Sequence, residues 1–317
     1  MDPHPPTSRA LSPETLYDVL WRDRSTELEA MIAGGERNLA RAVARFTAWE
    51  AGHLHEPEAV RRDGRIELTG RVRRQPSPPT GWGRLSDGGP AYLRMRLRDG
   101  IVPVPRHLDA MTVPGRWLAD LCEPGTDAVV ELGAGWGGHL FRTWLSGGPR
   151  DAAYVACDHS AVAGRMAARL AELEPGLTFA ARGFDFRAPD FGFLEPYRAP
   201  LVYTCSSVVL IDRLPADFFE RLAAAVPGAR VVFFEPVGYQ VARGRRIGFE
   251  PAPGLDAREP PQRPVNPTFN RDLVERIDAA VAGGLARWEM LAADAFSYFE
   301  EASSTMSVLC IRLCGTR

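Results

Sequence analysis

The run Ala128-Val129-Val130-Glu131-Leu132-Gly133-Ala134-Gly135-Trp136-Gly137-Gly138 constrains this chain most: an apolar strand enters a glycine-rich turn, with a carboxylate just before the first glycine. Residues without a Cβ let backbone approach a ligand closely, so a strand that ends this way suits a nucleotide. Twenty residues past Gly138 stands Asp158, closing the apolar stretch Ala153-Tyr154-Val155-Ala156-Cys157. That stretch reads as a second buried strand presenting a carboxylate to ribose hydroxyls. A nucleoside cofactor is the expectation.

Two nucleoside chemistries share these features. Gly133, Gly135 and Gly138 satisfy the G-x-G-x-x-G spacing of nicotinamide-dependent dehydrogenases, a weak pattern when alone. The run also resembles motif I of class I S-adenosylmethionine (SAM) dependent methyltransferases, in which an acidic residue occupies the Glu131 position and Gly-x-Gly-x-Gly follows. Dehydrogenases usually place an apolar residue there. A third strand, Leu177 to Ala181, leads to Gly183-Phe184-Asp185-Phe186, which looks like that family's adenine-binding segment. At the far end, Ala286 to Leu291 and Met306 to Ile311 read as two strands with little room for a crossover helix, hence an antiparallel hairpin. In the resembled family an antiparallel final strand inserts beside the fifth; a dehydrogenase half continues strand, helix, parallel strand.

The resemblance implies roles for particular residues. Gly133, Ala134, Gly135 and Gly137 would form the turn against the cofactor's methionine moiety and ribose, with Glu131 organising its amino end. Asp158 would accept the ribose hydroxyls, with His159 and Thr204 beside the cofactor, while Asp185 meets the adenine amino group and Phe186 covers the ring. Trp136 departs from the small or aliphatic residues often seen at its position and reads equally as a wall of the cofactor's carboxylate side or as a packed indole. His139 and His159 read first as structural imidazoles.

Composition narrows the function classes. The formal net charge is -2, which removes the global positive field that nonspecific nucleic-acid binding requires. There is no lysine, so Schiff-base chemistry and a Walker-type phosphate lysine are excluded. The five cysteines are scattered and odd in number, which predicts reduced thiols; Cys310 and Cys314 lack the second pair or nearby histidine of a metal site. The N-terminus lacks signal-peptide features and no segment reaches membrane-spanning length, so a cytoplasmic protein with no membrane partner is expected.

From Asp127 onward strands at 128–132, 153–157, 177–181, 200–204 and 230–234 alternate with helices after Gly138 and at 160–173 and 215–225. This predicts an α/β fold, a doubly wound, mainly parallel seven-stranded sheet of the Rossmann-like methyltransferase type. Residues 1–110 read as an α+β accessory domain. It opens with a helix from Ser12-Pro13, continues with a longer one from about Thr26 to Trp49, and ends in a small hairpin or accessory sheet built from Ile66–Gly70 and Tyr92–Arg98. The apolar face of these helices is read as ordinary packing, a cap over the substrate, or a homodimer interface. Residues 111–317 form the catalytic domain, with 240–265, rich in Pro, Gly and Arg, as a lid or substrate loop.

Substrate groups in such a fold come from the C-terminal ends of the fourth and fifth strands and from inserted loops, which directs attention to Tyr203, Ser206, Glu235 and Tyr239. Glu235 ends the apolar strand Val231 to Phe234 and reads as a carboxylate aimed at the pocket mouth, or as one satisfied by backbone or arginine. Asn266, Asn270 and Arg271 are read as ligands of a substrate carboxylate, with helix capping the alternative for the two asparagines. All six histidines precede residue 160, so the substrate side offers neither histidine nor lysine as a base. Glu235 and Tyr239 are therefore the catalytic candidates. The expected reaction is SAM-dependent N-methylation of a cationic amine or guanidine on a small, free amino-acid-like molecule, arginine for example, in bacterial specialised metabolism. S-adenosylhomocysteine (SAH) is the product and no metal is needed. The alternatives are O-methylation of a sugar, phenol or carboxylate, an NAD-dependent oxidoreductase, and a non-catalytic nucleotide-binding module.

Overall fold

Every residue of Ala128–Leu132 is buried, a pattern only a strand covered on both faces allows. The computed structural model describes residues 13–51, 53–62, 65–76, 92–97, 100–105, 112–248, 269–297 and 306–315. The N-terminal part holds α1 (Pro13–Ala33), α2 (Leu39–Ala51), β1 (His53–Arg62), β2 (Arg65–Pro76), β3 (Tyr92–Leu97) and β4 (Gly100–Pro105). Then follow α3 (Thr112–Leu121), β5 (Ala128–Leu132), α4 (Gly138–Leu145), β6 (Ala153–Asp158), α5 (Ala161–Ala171) and β7 (Phe179–Gly183). The C-terminal part contains β8 (Pro200–Cys205), α6 (Phe218–Ala225), β9 (Arg230–Glu235), α7 (Leu273–Ala282), β10 (Ala286–Ser297) and β11 (Met306–Leu313).

One sheet runs in the order β4-β3-β10-β11-β9-β8-β5-β6-β7. Strands β5 to β9 are parallel, and β11 lies antiparallel between β9 and β10. The seven strands from β10 to β7 have the doubly wound arrangement that the resemblance implies. The sheet is nonetheless nine strands wide, where seven are expected from the sequence. The β3–β4 hairpin joins the edge of β10, pairing Leu97 with Phe296 and Arg96 with Ser297. An edge strand carries a row of unpaired amides and carbonyls that another strand can take up. The segments 66–70 and 92–97 do not form one hairpin with each other: β2 pairs with β1 in a separate two-stranded ribbon, while β3 belongs to the main sheet.

The first helices also differ from expectation. A single helix runs from Pro13 to Ala33, and the break falls at Gly34-Gly35 rather than near Thr26. Gly35 takes φ 100°, a left-handed conformation that stops the helix at little cost to glycine. The next helix starts where the Asn38 side chain accepts from the Arg41 amide at 2.9 Å, a cap that satisfies one of its free donors.

Strand alternation divides the core into two apolar clusters. Val129, Tyr154, Leu201, Tyr203 and Val232 face α1 to α5, where they meet Leu28, Phe46, Leu118, Phe141 and Leu170. Val130, Val155, Val202, Val231 and Phe233 face the other side, against Phe218, Leu222, Leu273 and Ile277 of α6 and α7. Burying each phenylalanine stabilises the fold by about 1.5–3 kcal/mol relative to exposure. Helices α1 and α2 thus share the core of the sheet and lie over the C-terminal end of β5.

Candidate functional site

The glycine turn is fixed by close approach. Gly133, Gly135 and Gly137 all have left-handed φ, at 77°, 53° and 78°. The amides of Gly133 and Ala134 both donate to the Cys157 carbonyl, at 2.7 and 2.9 Å, fastening the turn to the end of β6. A Cβ on Gly133 would stand 2.4 Å from the Cβ of Ser207, and one on Gly135 would stand 2.9 Å from the Trp21 ring. Glycine is required at both positions because another part of the chain already occupies the space.

Asp158 closes β6 beside this turn. Its Oδ2 accepts from the Gly135 amide and its Oδ1 from the Ser160 amide, each at 2.8 Å, so the carboxylate is aimed and its remaining lone pairs stay available. His159 Nδ1 lies 3.4 Å from Oδ1, and the ring packs edge-on against Tyr17 of α1. After β7, the Asp185 side chain is exposed and accepts from the Arg187 amide at 2.9 Å, while Phe184 and Phe186 pack edge to face with centroids 5.0 Å apart.

Glu131 is 1% exposed, and its Oε2 accepts from the Tyr203 hydroxyl at 3.0 Å. Burial pushes this carboxyl well above the usual range, against the Tyr203 hydrogen bond and the positive charge of Arg142. These groups surround one cavity of about 560 Å³ at the C-terminal ends of β5, β6 and β8. Glu131, Gly133, Ala134, Gly135 and Trp136 line it from the turn, and Asp158, His159, Asp185 and Phe186 from the loops after β6 and β7. Ser206, also in the wall, is the only non-glycine residue with positive φ among the described residues, at 53°. Such a conformation costs about 1–2 kcal/mol and persists only where its surroundings enforce it.

The other sequence candidates lie elsewhere. Glu235 shares its strand face with Val231 and Phe233, on the side of the sheet away from Glu131. Its Oε1 accepts from Thr204 Oγ1 at 2.7 Å and from the Ser207 and Val208 amides at 3.1 Å; its Oε2 accepts from the Val209 amide at 3.0 Å. A fully buried carboxylate engaged in this way organises a turn and does not reach the cavity, which corrects its catalytic and substrate-binding readings and the cofactor reading of Thr204. Burial raises Glu235 to about 7 despite these four donors. Tyr203 stands behind Glu131, not at the cavity surface. Tyr239 donates its hydroxyl to the Asn270 carbonyl, and Asn270 is fully buried, capping α7 through the Asp272 and Leu273 amides at 3.0 and 2.8 Å. Arg271 pairs on the surface with Asp212 at 3.1 Å. None of these three lines the cavity, so their substrate-binding reading is corrected too. Gly137 acts through the backbone, at the N-cap of α4. Asn266 and the greater part of the expected loop 240–265 lie outside the described residues.

The N-terminal helices supply cavity residues that motif reading misses. Tyr17, Trp21 and Arg24 come from α1, and Thr47 and Glu50 from α2, facing His139 and Arg142 of α4. Arg24 Nε lies 2.8 Å from Glu50 Oε1, and the Trp136 indole donates to Glu50 Oε2 at 2.9 Å. Arg142 is 4% exposed, donates to Thr47 Oγ1, and stands 5.4 Å from the Trp136 ring centre. His139 Nδ1 is buried with no hydrogen-bond partner among the described residues, and burial, reinforced by Arg142, lowers its pKa to about 3. One local signal was available: Trp21 and Arg24 are one helical turn apart and so share a face of α1.

No family model matches the chain, and no curated protein matches it by sequence. Among solved structures the chain is similar to a SAM-dependent methyltransferase from Aquifex aeolicus, with 11% identity, 64% of this chain and 91% of that chain covered, and a TM-score of 0.39. It is also similar to the N-terminal domain of EvdMO1 with SAH bound, at 14% identity over 87% of this chain and 97% of that one, with a TM-score of 0.41. A third is the geranyl diphosphate C-methyltransferase from Streptomyces coelicolor A3(2), at 14% identity over 65% and 77%, with a TM-score of 0.42. At such distances the likenesses assign no substrate, and the cavity's own chemistry has to supply one.

Proposed function

We propose that this protein is a SAM-dependent methyltransferase acting on a small molecule. The observation that carries the reading is the convergence on one cavity of a buried acidic strand end, a left-handed glycine turn, a ribose-type aspartate and an Asp-Phe pair: Glu131, Gly133 to Gly135, Asp158, and Asp185-Phe186. The donor set fits the cofactor. Asp158 has acceptor capacity beyond its two backbone donors, Phe184 and Phe186 offer an apolar surface for a base, and Glu131 is a buried carboxylate suited to an ammonium. The antiparallel strand β11 between β9 and β10 weighs against an NAD-dependent oxidoreductase, whose sheet would continue in parallel.

When bound, the cofactor's sulfonium supplies an electrophilic methyl carbon to a nucleophile held in line with it. The protein's contribution is to position and enclose. Asp158 and Asp185 would hold the two polar parts of the nucleoside against the glycine turn. The loop from Cys205 to Ile211 forms another part of the wall, where Ser206 and Ser207, whose hydroxyls donate to Met306 Sδ and the Leu132 carbonyl, supply polar surface and Leu210 and Ile211 apolar surface. This mixed wall supports a small acceptor with a polar reacting group on an apolar frame. N-methylation of a free amino-acid-like cation such as arginine loses support because Glu235, its intended carboxylate, is buried on the opposite face. An O-methyl acceptor such as a sugar or phenol gains by comparison.

The test is calorimetric titration with SAH and with NAD, followed by an SAH-release assay over a panel of hydroxyl compounds, amines and free amino acids. SAH binding without NAD binding, and turnover with a hydroxyl compound, is the expected result. A protein that binds NAD and not SAH would overturn the reading.

A further inference from the structure

One part of the cavity wall, a chamber gathered around Trp136, carries charge of both signs. Arg24 and Arg142 contribute guanidinium groups, and Glu50 and Glu131 carboxyl groups. Burial is the largest influence on both acids and raises both, outweighing the arginines and the hydrogen bonds from Trp136 and Tyr203. The neutral His139 adds to the same wall a buried Nδ1 with no hydrogen-bond partner among the described residues. A net anion entering here meets Glu50 and Glu131, and a net cation meets Arg24 and Arg142. A zwitterion leaves the balance intact while giving each sign a partner.

We propose that Arg24, brought in by α1, binds the carboxylate of the cofactor's zwitterionic amino-acid end, so that the N-terminal helices complete a recognition chamber whose other side is the Glu131 that the resemblance assigns to the amino end. The inference rests on the SAM reading above. Arg24 is well suited to the task because it is held from two sides: its guanidinium lies 4.8 Å from the Trp21 ring centre, and Glu50 anchors its Nε at 2.8 Å. Glu50 is itself oriented by the Trp136 indole. A guanidinium has five donors in a rigid fork, so anchoring at Nε leaves a bidentate edge to present to a carboxylate. Trp21, one turn before Arg24, lies against Gly135, which sets α1 directly on the turn that carries the cofactor. Glu131 lies on the same face of the sheet as this helical roof, as its strand neighbour Val129 does. Arg24 is thus a specificity residue that distinguishes a complete cofactor from a bare nucleoside thioether.

The experiment needs no methyl acceptor. Full-length protein is titrated calorimetrically with SAH, with its decarboxylated analogue S-adenosyl-3-thiopropylamine, and with 5'-methylthioadenosine, which lacks the whole amino-acid end. Wild-type affinity should fall about 10- to 100-fold from SAH to the decarboxylated analogue, as expected for loss of a charged hydrogen-bonded pair. In Arg24→Gln that step should shrink to about threefold or less, with 5'-methylthioadenosine binding unchanged, and Arg24→Lys should restore part of it. Equal wild-type affinity for SAH and the decarboxylated analogue overturns the chamber even if Arg24→Gln does not fold. So does an Arg24→Gln variant that weakens all three ligands alike. Binding of 5'-methylthioadenosine with no gain for SAH removes the chamber and spares the nucleoside site, whereas failure of all three ligands removes the SAM reading together with it.

Discussion

Glu131, next to last in β5, and Glu235, last in β9, stand at the same end of one sheet with only β8 between their strands, yet their side chains lie on opposite faces of it. One looks into the cavity beneath α1 and α2. The other holds the backbone of the Ser207 to Val209 turn. Their different work follows from this difference of face.

Glu235→Gln should destabilise the protein, because an amide NH2 would replace an oxygen that now accepts from buried backbone donors. A loss of about 1–3 kcal/mol is expected in urea unfolding. The pH dependence separates the charge from the shape. Burial raises the Glu235 carboxyl from the ordinary 4.5 to about 7, so between those values the native state holds a proton that the unfolded chain has released. Its contribution to stability is complete below pH 4.5 and is lost as pH rises through 7, by at most about 3 kcal/mol. Glu235→Gln should flatten that part of the curve; an unchanged slope would assign it to another group.

Gly133→Ala should be costly for two reasons that add: a left-handed backbone at φ 77° and a Cβ placed 2.4 Å from that of Ser207. About 2–4 kcal/mol of stability should be lost in chemical denaturation. A change under about 0.5 kcal/mol would mean that the Ser207 turn yields to the added methyl group.

Asp158→Ala removes the acceptor for the Gly135 and Ser160 amides and the carboxylate assigned to ribose. SAH affinity should fall at least about tenfold while the circular dichroism spectrum is retained. Undiminished affinity would separate Asp158 from the cofactor.

His139 should remain neutral at all ordinary pH values, since burial and Arg142 lower its pKa to about 3. Proton NMR of the imidazole should therefore show no titration above about pH 4. A midpoint near 6 to 7 would contradict its enclosure.

What the sequence revealed was the part written in consecutive residues. The strand and turn around Glu131 and Gly133, the carboxylate at Asp158 and the antiparallel closing strand all follow from local pattern, because backbone geometry there depends on nearby residues. The strand parity of Val231, Phe233 and Glu235 was equally legible, but the face of the sheet they share is set by the register of β9 on β8 and of β8 on β5, which no local pattern carries. The roof was not legible. Nothing local tells a surface helix which cleft it will cover, and Arg24 meets Glu50 and Trp136 only through tertiary packing. The attachment of β3 to β10 escaped for the same reason, since a pairing across some two hundred residues leaves no periodic trace.

Because Leu28, Ile32 and Phe46 are buried in the same cluster as Phe141 and Trp144, residues 13–51 and the sheet belong to one cooperative unit. Roof and cleft should then melt in a single transition, and exchange of this segment alone would disrupt the shared core. A chimera carrying another protein's first two helices would inherit a mismatched interior before it could acquire a new preference, so drift in this region is held back by packing as much as by chemistry.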